Sequence, residues 1–231
     1  MRERLIAFIP AFNEASTLGA VITQTRPHVA EVVVINDGSS DDTEVVARRN
    51  GAVVLSHERN RGKGAAIATA LDYFARSDAP WAVFLDADGQ HAPDEIPRLL
   101  AAARESGASV VVGNRMADTG GMPLLRRITN RFMSWLVSRL SRQRIWDSQC
   151  GFRLLHRDAL AAIRLSSEHF EAETEMLIQA GRAGYKIASA PIKTLYDPSR
   201  RSRIRPVRDT VRFLMLLWRL ALENRPSEKK R

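Results

Sequence analysis

Five short, nearly uninterrupted apolar runs punctuate the first half of the chain: Leu5 to Ile9, Val32 to Ile35, Ala52 to Leu55, Ala82 to Leu85 and Ser109 to Val112. Runs of this length, rich in Val, Ile and Leu, predict strands covered on both faces. Between them, apolar residues recur at helical spacing over Glu14 to Thr25, Asp42 to Arg49, Gly64 to Ala75 and Pro93 to Glu105. Asp41 with Glu44 three residues on resembles a capping pair, and Pro93 suits a first helical turn. Strict alternation of strand and helix predicts right-handed βαβ units, hence an α/β fold with a mostly parallel sheet flanked by helices.

After Val112 the rhythm breaks. Pro123 to Leu140 reads as one or two amphipathic helices, with Phe132, Met133, Trp135, Leu136 and Leu140 on the apolar side and arginines among them. Phe152 to Leu155 then reads as a strand, Asp158 to Ile163 and Glu171 to Arg182 as helices, and Lys186 to Ala190 as a strand. A basic amphipathic segment, Val207 to Leu222, precedes a charged tail.

Ligands of a parallel α/β sheet bind at the carboxyl ends of its strands. Each early strand ends in polar groups: Pro10-Ala11-Phe12-Asn13-Glu14, then Asn36-Asp37-Gly38-Ser39-Ser40-Asp41, then Asn60-Arg61-Gly62-Lys63-Gly64. Asp37 and Glu14 are acids suited to accept from nucleobase or ribose donors, and Lys63 is a flexible cation for a ring or a phosphate. Asn13 and Ser40 suit helix capping equally well. The fourth strand ends in Asp86-Ala87-Asp88-Gly89-Gln90. If the chain stays extended, Asp86, Asp88 and Gln90 point the same way and offer oxygens to Mg²⁺ or Mn²⁺. The competing reading is a plain turn at Asp88-Gly89.

Composition narrows the partners. The 231 residues are 45% hydrophobic, enough for a full core, and carry a formal charge of +9 with a pI near 10.5. Much of the excess sits late, in Arg126, Arg127, Arg131, Arg139, Arg142 and Arg144 and in Arg200, Arg201, Arg203, Arg205 and Arg208. An anionic partner follows, either a phosphorylated substrate or an acidic membrane surface. No aromatic residues interleave with the second cluster, so a base-stacking nucleic-acid surface is not expected. Cys150 is the only cysteine; it excludes an intrachain disulfide and reads as a small buried filler.

Taken in order, PAFNE, NDGSSDDT, NRGKGAA, LDADGQHAP, GNR and DSQCGFR resemble the family 2 glycosyltransferases, over about Leu5 to Tyr196. Within them the chain is most similar to the dolichyl-phosphate mannose synthase and polyprenyl-phosphate glycosyltransferase branch. The QxxRW motif of the processive branch is absent, which disfavours a polysaccharide synthase. The resemblance implies a GT-A, Rossmann-like catalytic domain over 1–196, divided into a nucleotide-sugar half (1–113) and an acceptor half (114–196). Residues 197–231 follow as a basic loop, an amphipathic interface helix and a tail. It further implies that Pro10, Phe12, Glu14, Asp37, Lys63 and Asp86 bind the nucleotide sugar. Asp86, Asp88 and Gln90 would hold Mg²⁺ or Mn²⁺ against the diphosphate, placing Asp88 in the catalytic set.

On the acceptor side, the resemblance assigns Arg115, Arg126, Asn130, Arg200, Arg201 and Ser202 to the acceptor phosphate. Asn130 stands where the family has serine. Asp147 heads DSQCGFR and is implied close to the reacting groups, as a positioning residue or a base. Glu173 and Glu175 are further candidates; two apart on a helix, they cannot share a face, so at most one points at the site. The expected function is inverting transfer of a hexose from a GDP- or UDP-sugar to a polyprenyl or dolichyl phosphate. The alternatives are transfer to a soluble or cell-envelope hydroxyl, and a non-catalytic adaptor at a membrane surface. Neither a secretory signal nor a spanning segment is apparent in the sequence, so peripheral, cytoplasmic attachment to an anionic membrane, or to a separate membrane-protein partner, is expected.

Overall fold

The five early apolar runs all form strands; Leu5 to Ile9 and Val32 to Ile35 are enclosed on both faces, whereas the run Ala52 to Leu55, on the strand at the edge of the sheet, is only half-buried with Val53 exposed. The computed structural model describes residues 4–119, 122–167 and 171–193, together with Met215. The strands are β1 (Leu5–Ala11), β2 (Glu31–Asn36), β3 (Val53–Ser56), β4 (Trp81–Phe84), β5 (Val110–Asn114), β6 (Arg153–His156) and β7 (Ile187–Pro191). The helices are α1 (Ala15–Thr25), α2 (Thr43–Arg49), α3 (Lys63–Ala75), α4 (Ile96–Ser106), α5 (Leu124–Ser141), α6 (Arg157–Ala161) and α7 (Glu171–Arg182). The strands make one sheet in the order β3-β2-β1-β4-β6-β5-β7.

Every pairing is parallel except those of β6, which runs antiparallel between β4 and β5. That reversal matters for the site. An antiparallel strand begins at the edge where its parallel neighbours end, so the segment entering β6 arrives beside the carboxyl ends of β4 and β5. The late motif Asp147 to Phe152 thereby joins the early ones at one edge of the sheet.

One local expectation is corrected. Asp41 and Glu44 form no reciprocal capping box. Asp41 instead accepts from the Thr43 and Ala15 backbone N–H groups at 3.0 and 3.2 Å. Glu44 turns to Arg48 at 2.8 Å and to the Ser56 hydroxyl at 2.7 Å, tying α2 to β3. α5 is a single helix whose buried residues are Asn130, Ser134, Val137 and Ser141. Of its apolar residues, Met133, Leu136 and Leu140 pack against the core, whereas Phe132 and Trp135 are exposed. Its C-terminal end lies close on α7, where a Cβ added at Gly181 would stand 2.5 Å from the Ser141 carbonyl oxygen.

The basic cluster with Arg200, Arg201 and Ser202, and the segment Val207 to Leu222 apart from Met215, lie outside the described residues.

Candidate active site

The loops after β1 and β2 brace one another. Asn13, in the left-handed region at φ 51°, accepts from the Ser40 backbone N–H at 2.8 Å, while its own N–H donates to Ser39 Oγ at 2.9 Å. The Glu14 N–H donates to Thr43 Oγ1 at 2.8 Å. Asn13 therefore serves as a brace between loops and does not cap α1. Thr17 extends the bracing by donating to the Ala87 carbonyl at 2.9 Å, linking α1 to the turn after β4. Pro10, Phe12 and Glu14 are held along this edge.

Asp37 is buried, and its carboxylate organises the third loop. It accepts from the Arg61 N–H at 2.9 Å and the Gly62 N–H at 2.8 Å, and lies 2.7 Å from His57 Nδ1. His57 Nε2 in turn lies 2.9 Å from Thr69 Oγ1 on α3. Gly38 makes this possible: at φ +69°, a Cβ there would meet the Arg59 backbone at 2.3 Å. His57 was not legible as a site residue, since a lone histidine beyond a strand carries no motif.

Gly62 starts α3, and Lys63 is its first residue. Lys63 Nζ lies 2.5 Å from Asp86 Oδ1 and 3.1 Å from Glu173 Oε2, joining three elements across the edge. Burial disfavours charge on both Lys63 and Asp86. Their mutual attraction prevails, holding the lysine well above its ordinary pKa and the aspartate well below. His91 is held below its ordinary pKa by burial, against the pull of Asp86. Its Nδ1 accepts from the Asp86 backbone N–H at 3.3 Å, and its Nε2 faces Cys150 Sγ at 4.0 Å, an arrangement that fits the neutral ring. Burial pushes the Cys150 thiol up to about 12, consistent with an inert filler.

Beyond Phe84 the chain does not stay extended. It turns at Ala87-Asp88, with Gly89 at φ 74°, and Asp88 Oδ1 accepts from the Gln90 N–H at 3.0 Å. The alternate-residue geometry expected for Asp86, Asp88 and Gln90 is therefore replaced by a turn. Among the described residues no group of three or more His, Cys, Asp or Glu side chains is arranged to hold a metal ion. The donor set nevertheless fits Mg²⁺ or Mn²⁺, which commonly takes one or two carboxylates and completes its shell with substrate phosphates. Gly151 contributes to the fit, because a Cβ there would stand 2.6 Å from Asp86 Oδ2 and close the approach.

Asp147 and Arg115 form a second cluster. Asp147 is wholly buried; its Oδ2 accepts from Arg115 Nε at 2.8 Å and from the Arg115 backbone N–H at 3.1 Å, and its Oδ1 accepts from Nη2 at 2.9 Å. Next to it, Ser148 bonds Ser134 of α5, its N–H donating to Ser134 Oγ at 2.9 Å. One turn back on the same helix face lies Asn130, buried, with no hydrogen-bond partner for Nδ2 among the described residues. Arg126, one further turn back, shares this register.

Arg153 is a site residue that sequence reasoning quoted but gave no task. Wholly buried, it donates to the carbonyls of Ser148 at 2.8 Å and Cys150 at 2.7 Å, and also to that of Glu173. It thus staples the Asp147 loop to the first turn of α7. Glu173 faces Lys63 from there, whereas Glu175 turns to the Ser166 and Ser167 N–H groups at 3.1 and 3.0 Å. The two glutamates diverge, as their spacing requires.

A mostly parallel sheet carrying this edge of carboxylates, lysine and arginine is the GT-A class of α/β enzyme. The chain belongs to the glycosyl transferase family 2, whose model matches residues 6–164. It is 30% identical over 220 residues to the UDP-N-acetylglucosamine–dolichyl-phosphate N-acetylglucosaminyltransferase of Methanococcus voltae, covering 85% of this chain and 88% of that one. It is also 29% identical over 203 residues to the undecaprenyl-phosphate mannosyltransferase of Micrococcus luteus, covering 82% of each. Among solved structures, the glucosyl-3-phosphoglycerate synthase of Mycobacterium tuberculosis in complex with Mn²⁺, UDP and phosphoglyceric acid superposes with a TM-score of 0.72. That match is at 24% identity and covers 98% of this chain and 80% of that one.

Proposed function

We propose that this glycosyltransferase moves a hexosyl unit from a nucleotide sugar to a polyprenyl phosphate at a membrane surface, with inversion at the anomeric carbon. The observation that carries the reading is the exposed apolar stripe of α5. The helix buries Asn130, Ser134, Val137 and Ser141 and packs Met133, Leu136 and Leu140 against the core, yet leaves Leu125, Ile128, Phe132 and Trp135 exposed, with Leu125 77% exposed. The outer side of a water-facing helix is ordinarily polar. The outer stripe suits the apolar part of a bilayer interface. Arg139, whose guanidinium lies 5.5 Å from the Trp135 ring centroid, is placed to meet headgroups. The inner face leads to Asn130 and the Arg115–Asp147 pair, so one helix joins a lipid-seeking surface to phosphate-binding chemistry. The relatives named for dolichyl and undecaprenyl phosphate support the same acceptor class. No described helix is long and apolar enough to cross a membrane, and the reading requires none.

On the donor side, Asp37 and Glu14 would face the nucleoside, and Lys63 the diphosphate. Asp86, Asp88 and Gln90 would hold the divalent ion, which when bound neutralises charge growing on the leaving diphosphate. A phosphate monoester acceptor is already ionised near neutrality and needs little help from a base. That suits Asp147, since both its oxygens already accept from Arg115. Its task is then to fix the Arg115 guanidinium, whose fork it occupies, as a positive charge beside the acceptor phosphate, with Arg126 and the Asn130 amide as neighbouring donors.

The test is incubation with radiolabelled GDP- and UDP-sugars, Mn²⁺ and a short polyprenyl phosphate. Label is expected in the organic phase; label transferred only to a water-soluble phosphorylated acceptor such as phosphoglycerate would overturn the lipid reading. A second prediction addresses the surface. Phe132→Glu combined with Trp135→Glu is expected to abolish co-sedimentation with anionic liposomes, leaving stability within about 0.5 kcal/mol because both positions are exposed. Unchanged liposome binding would remove α5 from the interface.

A further inference from the structure

The best-placed cation of the donor site stands where it obstructs the metal. Lys63 Nζ is 2.5 Å from Asp86 Oδ1, so that oxygen is engaged by a full positive charge. The other oxygen, Oδ2, lies against Gly151, with His91 Nδ1 at 3.9 Å. An ammonium and a divalent ion at contact distance from one carboxylate repel each other. Asp86 therefore serves a metal at lower cost once Lys63 gives it up. The structure also shows where the ammonium can go: Glu173 Oε2 is already 3.1 Å away on α7, and the staple from Arg153 to the Glu173 carbonyl holds that turn in place.

We propose that Lys63 is a placeholder cation that neutralises Asp86 while the donor site is empty and moves onto Glu173 and the donor's diphosphate when nucleotide and metal bind together. This inference rests on the nucleotide-sugar reading above. It gives Glu173 a positioning task, as the second anchor that lets Lys63 leave Asp86 without being stranded. It also makes metal and nucleotide mutually dependent. Without nucleotide the metal must displace a cation and gain nothing in return; with it, the displaced ammonium finds new oxygens. Such a dependence is a coupling free energy, and it acts equally in both directions.

Mn²⁺ binding followed by electron paramagnetic resonance, with and without UDP or GDP, tests the idea. In the wild type, nucleotide is expected to tighten Mn²⁺ binding about tenfold or more. Lys63→Met is expected to bind Mn²⁺ alone about tenfold more tightly than the wild type, and to lose most of the nucleotide effect. Glu173→Gln acts in the opposite direction: with Asp86 as its sole carboxylate of the pair, Lys63 holds on, and Mn²⁺ binding in the presence of nucleotide weakens severalfold. Lys63→Arg, which keeps the charge, is expected to leave Mn²⁺ alone weakly bound. Mn²⁺ binding to Lys63→Met no tighter than to the wild type overturns the proposal. Should that variant not fold, Glu173→Gln decides, and unchanged Mn²⁺ affinity with nucleotide overturns it. A wild type that binds neither UDP nor GDP in the presence of Mn²⁺ would instead sink the nucleotide-sugar reading itself.

Discussion

Asp147→Ala is expected to destabilise the protein by about 3–5 kcal/mol, the usual cost of leaving one member of a buried ion pair uncompensated. The pair is deep: the Arg115 side chain is 7% exposed and that of Asp147 is 0% exposed, and the contact is bidentate with a third bond from the Arg115 backbone. Removing the carboxylate takes the bidentate acceptor from the guanidinium and the acceptor from the Arg115 N–H together. For a chain of this size the melting temperature should fall by roughly 10 °C, measurable by calorimetry or urea titration. Arg115→Met with Asp147→Leu removes both charges and is expected to recover most of that stability while remaining inactive. If the double variant is no more stable than Asp147→Ala, the loss lies in packing and not in an unpaired charge. Asp147→Asn is the informative intermediate. It keeps one carbonyl oxygen for Arg115 but places an amide against a guanidinium, so transfer is expected to fall further than stability does.

The gathering of the early motifs at one edge was legible because parallel strands deliver their carboxyl ends to one side of the sheet. PAFNE, NDGSSDDT, NRGKGAA and LDADGQHAP each follow a strand, so topology alone gathers Glu14, Asp37, Lys63 and Asp86. The acceptor half was only partly so. DSQCGFR belongs at the same edge because β6 runs antiparallel, and no periodicity in the sequence announces the direction of a strand. The pairing of Asp147 with Arg115, 32 residues apart, is equally invisible without the fold. In α5 the apolar residues have helical spacing, and spacing does not say which of them meet protein. Met133, Leu136 and Leu140 pack on the core while Phe132 and Trp135 face outward, a division that only the fold reveals. Arg153 escaped notice because its partners are backbone carbonyls, which every residue has.

Asp88→Ala is expected to lower kcat by about 10²–10³-fold at saturating Mn²⁺, the range seen when one element of transition-state charge stabilisation is removed. The effect should fall on kcat more than on KM, because charge on the leaving diphosphate grows as the glycosidic bond breaks. Stability is expected to change by no more than about 1 kcal/mol, since Asp88 is half-buried on a turn and the bond from the Gln90 N–H can be taken over by water. Asp88→Asn keeps an oxygen for that N–H while removing the charge. If the carboxylate acts through its charge, Asn and Ala variants lose activity alike; if it acts by shaping the turn, Asn retains most of it. Transfer unchanged by Asp88→Ala would remove Asp88 from the metal set. The contrast with Asp147 separates the two halves of the site physically. Asp147 is fixed by burial, and its loss is expected to act through stability and geometry together, whereas Asp88 sits half-buried on a turn and its loss is expected to act through electrostatics.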